Sequence, residues 1–214
     1  MAKKPTVYGP AYSTYARTAR LALEEKGVDY DLVEVDVLQG AGKSPEHLER
    51  HPFGKVPAFE HDGLALHETD AITRYVNEAF QGAALEPSDV RARARMTQAI
   101  NIIDSYAYPS MITAIVVQRA IMPMLGQATD EGAIAAALPQ AETCVRTLEK
   151  LIDGNTYLAG DTLSRADLLL IPVYDYFSQT PEGQKLLGAA PNLKRWWDKV
   201  RNRPSVERTR PKLG

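Results

Sequence analysis

Apolar and polar positions follow two different rhythms along this chain. In the first part, short β-branched and aromatic runs alternate with one-sided helical patterns; after Ser88 everything reads helical. Thr6 to Gly9 predicts a strand closed by the turn signal Gly9-Pro10. Ser13 to Lys26 predicts a helix with Ala16, Ala19, Leu21 and Leu23 as apolar positions, ended by Gly27. Tyr30 to Val37 alternates loosely, as a second strand does, and Ser44 to Arg50 reads as a short helical turn. Val56 to Glu60 and Leu64 to Leu66 predict two strands joined by the hairpin signal His61-Asp62-Gly63. Thr69 to Phe80 predicts a helix with Ile72, Tyr75, Val76 and Phe80 on one side.

Gln81 to Pro87 carries little periodicity and predicts a linker. Two long helices are expected beyond it, roughly Asp89 to Leu125 and Asp130 to Ile152, with Pro109, Pro123 and Pro139 each bending, ending or starting a segment. Further helices are expected at Ser164 to Thr180, Pro181 to Leu187 and Pro191 to Asn202. The order β-α-β-α-β-β-α matches a thioredoxin-like domain. The expected architecture is therefore an α+β thioredoxin-like domain over 1–81, a linker over 82–88 and an all-α helical domain over 89–214. No internal repeat or low-complexity tract is present.

Composition narrows the function classes. A chain of 214 residues can bury a real core. The net charge of −2 argues against a general nucleic-acid or membrane-surface binder. No apolar run is expected to reach the ~18 residues of a membrane span. The start Met1-Ala2-Lys3-Lys4-Pro5 is basic but leads into no apolar stretch. The single cysteine, Cys144, cannot form an internal disulfide, and a cytoplasmic location is expected.

Chemistry concentrates in His51-Pro52-Phe53-Gly54-Lys55-Val56-Pro57 and in Leu66-His67-Glu68-Thr69-Asp70. Proline donates no backbone hydrogen bond, so Pro57 belongs at a strand start or an edge. It is either an ordinary turn residue or the device that leaves the Val56 backbone free to pair with an extended peptide. Thr69 is an N-cap-type residue, and helix N-terminal N–H groups bind carboxylates; plain capping is compatible with that role.

These segments closely resemble the glutathione-binding half of glutathione transferases. The resemblance implies a cis bond at Val56-Pro57 and a cysteinyl backbone held by Val56. It further implies a γ-glutamyl carboxylate at Thr69 and an ammonium facing Glu68. Gly42-Lys43-Ser44-Pro45-Glu46-His47-Leu48 resembles the phi-class loop that reaches the glycyl carboxylate. Lys43 fits that loop and Lys55 lies near it, though Gly42 stands where histidine is usual and Lys55 where glutamine is common. Both lysines have the alternative of being merely solvated.

Pro10-Ala11-Tyr12-Ser13-Thr14-Tyr15-Ala16-Arg17 resembles the serine-class active-site turn, which implies that Ser13 activates glutathione. A free thiol titrates at about 8.5, and lowering it by about two units requires roughly 2.7 kcal/mol of preference for the thiolate. A hydroxyl bond to a charged partner supplies about 1.5–3 kcal/mol. A helix N-terminus adds about 0.3–1 kcal/mol, up to about 2. Ser13 would then act as a hydrogen-bond donor and not as a nucleophile; the alternative is a simple helix cap. Tyr8, Tyr12 and Tyr15 compete for the sulfur. The electrophile pocket is expected between the domains, with Tyr12, Leu38, Tyr108, Met111 and Ile115 as apolar candidates. For Tyr12, a place in the core is the alternative.

The resemblance spans nearly the whole chain and is nearest to phi-class or phi-like bacterial members of the serine type. Leu158 to Asp167 resembles the family's folding signature, with Ser164 and Asp167 at capping-box spacing. Trp196-Trp197 and Arg203-Pro204-Ser205 resemble its C-terminal segment. Cys144 reads as packed core, and thiol–disulfide exchange through the protein is not expected. His47 and His51 lack a third ligand, so no metal is expected. Arg91 and Arg95 share a helix face, solvated or paired across a dimer. A homodimer is implied; Phe53 is either an anchor for the partner or locally packed. The expected function is conjugation of glutathione, as co-substrate, to a small hydrophobic electrophile. A glutathione-dependent peroxidase or dehalogenase, or a non-catalytic binding protein of the same fold, is the alternative.

Overall fold

The structure, a computed structural model, describes residues 3–211. Met1 and Ala2, part of the basic start noted above, and residues 212–214 lie outside that range. The chain forms two compact units. One runs to Leu85 and takes in the residues from Asn202 onward; the other is Glu86–Arg201.

The first unit holds a four-stranded sheet of order β2-β1-β3-β4, built from β1 (Thr6–Tyr8), β2 (Asp31–Val33), β3 (Ala58–His61) and β4 (Leu64–His67). β1 runs parallel to β2 and antiparallel to β3, and β3 is antiparallel to β4. β2 is shorter than its alternating pattern suggested, because only Asp31, Leu32 and Val33 pair with β1. β3 begins two residues later than expected, because Pro57 has no N–H for the ladder; the Val56-Pro57 bond is cis. The hairpin between β3 and β4 turns on Asp62 and Gly63, with φ of 47° and 83°, as a two-residue primed turn requires.

α1 (Thr14–Lys26) is the central helix of this unit, with Ala16, Ala19, Leu21, Ala22 and Leu23 fully enclosed. Gly27 closes it in the left-handed region at φ 68°. α2 (Pro45–Arg50) is capped by Ser44, whose Oγ accepts the His47 N–H, and has Pro45 in its first turn. α3 (Thr69–Ala79) packs on α1 through its buried Ile72, Thr73 and Val76.

The second unit is helical. α4 (Val90–Met124) packs against α5 (Glu131–Leu151) and α6 (Arg165–Phe177); α7 (Pro181–Gly188) and α8 (Pro191–Val200) complete it. Of the prolines expected to bend, end or start a segment, Pro109 and Pro139 stand inside α4 and α5 and not at their ends. Around Pro109, over Ile103–Ile121, α4 widens to the i→i+5 hydrogen-bond spacing. α4 is also long and apolar enough to span a membrane by length and composition alone, which corrects the expectation of no such run. In that window 44% of the residues are buried, as in the core helix of a bundle.

A last helix, α9 (Pro204–Thr209), was not legible as a helix. It packs on α1, so the all-helical domain expected over 89–214 gives up its tail to the first unit. Charge explains the attachment. Arg203 is bidentate on Glu25 at 2.8 and 2.6 Å, Ser205 Oγ donates to the same carboxylate, and Arg208 reaches Glu24 at 2.6 Å.

Candidate active site

The sheet register sets the site. Tyr8 pairs with Ala58, and Ala58 with His67, so β1 and β4 end where β3 begins. Gly9, Pro57 and Glu68 therefore leave one end of the sheet together. A Cβ on Gly9 would lie 3.0 Å from the Ala16 Cβ and 3.2 Å from the Val56 Cβ. The bare glycine lets the first turn of α1 and the Val56-Pro57 loop close on each other. Ser13, Val56, Pro57 and Glu68 are thus brought to one end of the first unit.

Ser13 is the N-cap of α1, and its Oγ accepts the Ala16 N–H at 3.2 Å. The capping alternative is realised, and the hydroxyl proton remains for another acceptor. Two competing tyrosines have committed theirs. Tyr8 Oη donates to Glu60 at 2.8 Å, with the Arg50 guanidinium 4.4 Å from its ring centre. Burial and then that bond push the Tyr8 phenol above its ordinary value. Tyr12 Oη donates to Asp36 at 3.2 Å. Burial, then the Asp36 carboxylate, push it up to about 12. Leu38, the neighbouring pocket candidate, is 42% exposed.

The Val56-Pro57 loop is held from behind. His47, 3% exposed, donates from Nε2 to the Lys55 carbonyl at 2.7 Å. Among the described residues no backbone partner engages Val56. Lys43 and Lys55 are both exposed. The short 3₁₀ turn Ala41–Lys43 lies against the Phe53-Gly54 turn: a Cβ on Gly54 would meet the Gly42 carbonyl oxygen at 2.8 Å, and one on Gly42 would meet the Gly54 oxygen closer still.

Glu68, and not Thr69, is the N-cap of α3; Thr69 is the first helical residue. Glu68 takes φ 70° and ψ 116°, a conformation that costs about 1–3 kcal/mol for a residue with a Cβ. Its side chain makes no capping bond. The first helical hydrogen bond runs from the Ile72 N–H to the Glu68 carbonyl, so the Thr69 N–H has no partner within the helix.

In the helical unit, Tyr108 is half-buried, while Met111 and Ile115 are 3% and 0% exposed. Both belong to the stretch of α4 packed on α5 and α6. Arg91 and Arg95 border a shallow surface groove with Asn155 and Leu158 to Gly160. Cys144 is 2% exposed, and burial raises its thiol above the ordinary value. Asp167, fully enclosed, accepts from the Ser164 N–H and Oγ, the Leu158 N–H and the Trp196 indole N–H at 2.7–3.0 Å. Burial pushes its carboxyl up against the pull of those donors. The capping box is complete and lies in the fold of the second unit.

Sequence reasoning missed the residues that support this site: Glu60, Asp36, and the imidazoles His51 and His67, whose ring centres are 4.9 Å apart. The i, i+4 spacing of His47 and His51 was the one available signal. Among the described residues no group of three or more His, Cys, Asp or Glu could hold a metal ion.

A thioredoxin-like sheet unit with a cis Val56-Pro57 bond, followed by a helical unit, defines the fold class of this chain. Residues 4–78 match the Glutathione S-transferase, N-terminal domain family, and residues 110–204 match the Glutathione S-transferase, C-terminal domain family. The chain is 35% identical over 206 residues to a probable glutathione S-transferase GSTF1 of Oryza sativa subsp. japonica, covering 94% of this chain and 93% of that one. Glutathione transferase F7 from Populus trichocarpa superposes with a TM-score of 0.87 at 30% identity, over 96% of this chain and 97% of that one. Glutathione S-transferase I from maize, in complex with an atrazine glutathione conjugate, gives 0.84 at 33% identity, over 97% and 96%. This chain belongs to the glutathione S-transferase family.

Proposed function

We propose that this protein is a phi-class or phi-like bacterial glutathione transferase of the serine type, in which Ser13 stabilises the glutathione thiolate. One observation carries the Ser13 assignment: its hydroxyl heads α1 with its proton unspent, while the Tyr8 and Tyr12 protons go to Glu60 and Asp36. The thiol gives its proton to solvent. The Ser13 O–H and the N-terminal end of α1 then favour the anion. The thiolate forms a C–S bond to an electrophilic carbon, and the leaving group departs with its electron pair. No protein nucleophile is needed.

Binding is assigned to the same end of the sheet. The Val56 backbone pairs with the cysteinyl part of glutathione. The Thr69 N–H at the head of α3 takes the γ-glutamyl carboxylate, and Glu68 faces its ammonium. Lys43 and Lys55 take the glycyl carboxylate. Tyr12 and Leu38 offer apolar surface to a small hydrophobic electrophile. The glutathione-binding domain is read as 1–81, the helical one as beginning at 89. A homodimer is supported by Phe53, 71% exposed at a turn, and a cytoplasmic location by the buried, unpaired Cys144.

The test is conjugation of glutathione to a dinitrophenyl halide by wild type and Ser13→Ala. A loss of about tenfold or more in kcat, equal to at least about 1.4 kcal/mol, is expected in the variant. Unchanged turnover would remove Ser13 from its role. Failure of the wild type to bind glutathione would overturn the function itself.

A further inference from the structure

Two buried imidazole nitrogens have no hydrogen-bond partner: Nδ1 of His47 and Nδ1 of His51. Buried polar atoms without partners are rare and need a reason. Both residues are 3% exposed, and they stack at 6.2 Å. His67, the last residue of β4, tilts onto His51 at 4.9 Å. Phe53 lies edge-on to both His51 and His67 at 6.2 Å.

His51 is also a backbone hub. Its N–H donates to the His47 carbonyl at 2.8 Å, and its carbonyl accepts from Gly54 at 2.8 Å. It therefore joins the end of α2 to the loop that carries Lys55, Val56 and Pro57, while its ring touches the residue before Glu68. His47 holds the same loop through the Lys55 carbonyl. A proton on His51 would meet His47 on α2, His67 on β4 and the Lys55 ammonium of its own loop. Of the charged groups facing it, only Glu68 at the head of α3 attracts that proton.

We propose that His51 is a positioning residue for the glutathione site: wedged between His47 and His67, it holds the Lys55–Pro57 loop against the end of β4, and proton uptake by His51 releases that loop. The inference rests on the glutathione reading above. Burial, and after it the His67 ring, hold the His51 imidazole below its ordinary value. The folded site thus keeps His51 neutral. The ordered loop is favoured at neutral pH and loses ground as pH falls below about 6.5, where a free histidine takes its proton.

The experiment is calorimetric binding of glutathione to the whole protein from about pH 5 to about pH 7, a window in which ordinary α-carboxyl, thiol and amino groups of the ligand do not titrate. The dissociation constant is expected to rise on acidification, by up to about tenfold per pH unit for one linked proton. His51→Asn, polar and without a titration in this range, is expected to flatten that profile. The wild-type His51 ring, followed by NMR, is expected to titrate below about 6.5 without any substitution. A pH-independent wild-type affinity, an unchanged slope in His51→Asn, or a His51 ring titrating above that value would each overturn the inference. Binding at constant affinity defeats this inference alone, whereas no binding at any pH defeats the glutathione reading and this inference with it.

Discussion

Gly42 and Gly54 face each other backbone to backbone, and neither has room for a side chain. A Cβ on either would press into the carbonyl oxygen of the other at less than 3.0 Å. Both neighbours are backbone, so neither can swing aside. Gly42→Ala is therefore expected to push the Ala41–Lys43 turn off the Phe53-Gly54 turn and to cost about 1–3 kcal/mol, as overpacking does. Thermal denaturation reads that cost. Because the two turns carry Lys43 and Lys55, glutathione affinity is expected to fall with it.

This contact also explains where the sequence misleads. At position 42 the missing histidine reads as a lost ligand donor. The structure gives another cause, since the turn has closed onto Gly54, twelve residues later in the chain, and has no room for any side chain. Local chemistry was legible: the Gly27 helix end, the Asp62-Gly63 turn, the Ser164–Asp167 capping box and the proline before β3 all follow from single residue types. What no local pattern carries is a partner distant in sequence. The commitment of Tyr8 to Glu60, the His51–His67 contact and the docking of α9 on Glu25 join positions 52, 16 and about 180 residues apart. Met111 and Ile115, both buried, show a related ambiguity: an apolar residue on a helix looks the same in sequence whether it faces a pocket or a core.

Ser13 caps α1 and is assigned the bond to the thiolate, and substitution can separate the two. Ser13→Ala loses the cap and the hydroxyl proton together, and its stability is expected to fall by about 0.5–2 kcal/mol. Ser13→Asp keeps the cap, because aspartate ranks with serine there, but offers no proton and repels a thiolate. The expected result is a near wild-type melting temperature with conjugation reduced at least as far as in the alanine variant. Full activity in Ser13→Asp would show that the hydroxyl is not the donor.

The clamp between α9 and α1 is expected to fail in acid. Burial pushes the Glu25 carboxyl up, but hydrogen bonds from Arg203 and Ser205 outweigh it and hold the group below its ordinary value of 4.5. The unfolded chain then binds more protons than the folded one just below that value, so stability rises with pH through this range. The contribution is complete above pH 4.5 and is lost as pH falls through the lowered folded value. Melting temperatures from neutral pH down to acid should show that loss. Glu25→Gln should be less stable at neutral pH and show a shallower fall.

Cys144 is expected to be silent toward thiol reagents. Its thiol is buried between helices, and burial raises it above its ordinary value, so little thiolate forms. A chromogenic disulfide should react with no thiol in the folded protein and with one after denaturation. Conjugation should survive such treatment of the folded enzyme.

Glu68 gives a prediction in which stability and function move in opposite directions. Its φ of 70° with ψ of 116° is a conformation that glycine adopts freely and glutamate does not. Its side chain caps nothing, so the fold receives no hydrogen bond in return for the strain. Glu68→Gly should relieve about 1–3 kcal/mol of strain, offset in part by the greater freedom of glycine in the unfolded chain, about 0.4–1 kcal/mol. The net change expected is a melting temperature equal to or above that of wild type. The same substitution removes the carboxylate assigned to the glutathione ammonium, and a charge-assisted bond of that kind contributes about 1.5–3 kcal/mol. Glutathione affinity should therefore drop by roughly tenfold to a hundredfold. A variant that lost stability and kept its affinity would mean that the backbone at Glu68 is strained for packing and not for ligand binding.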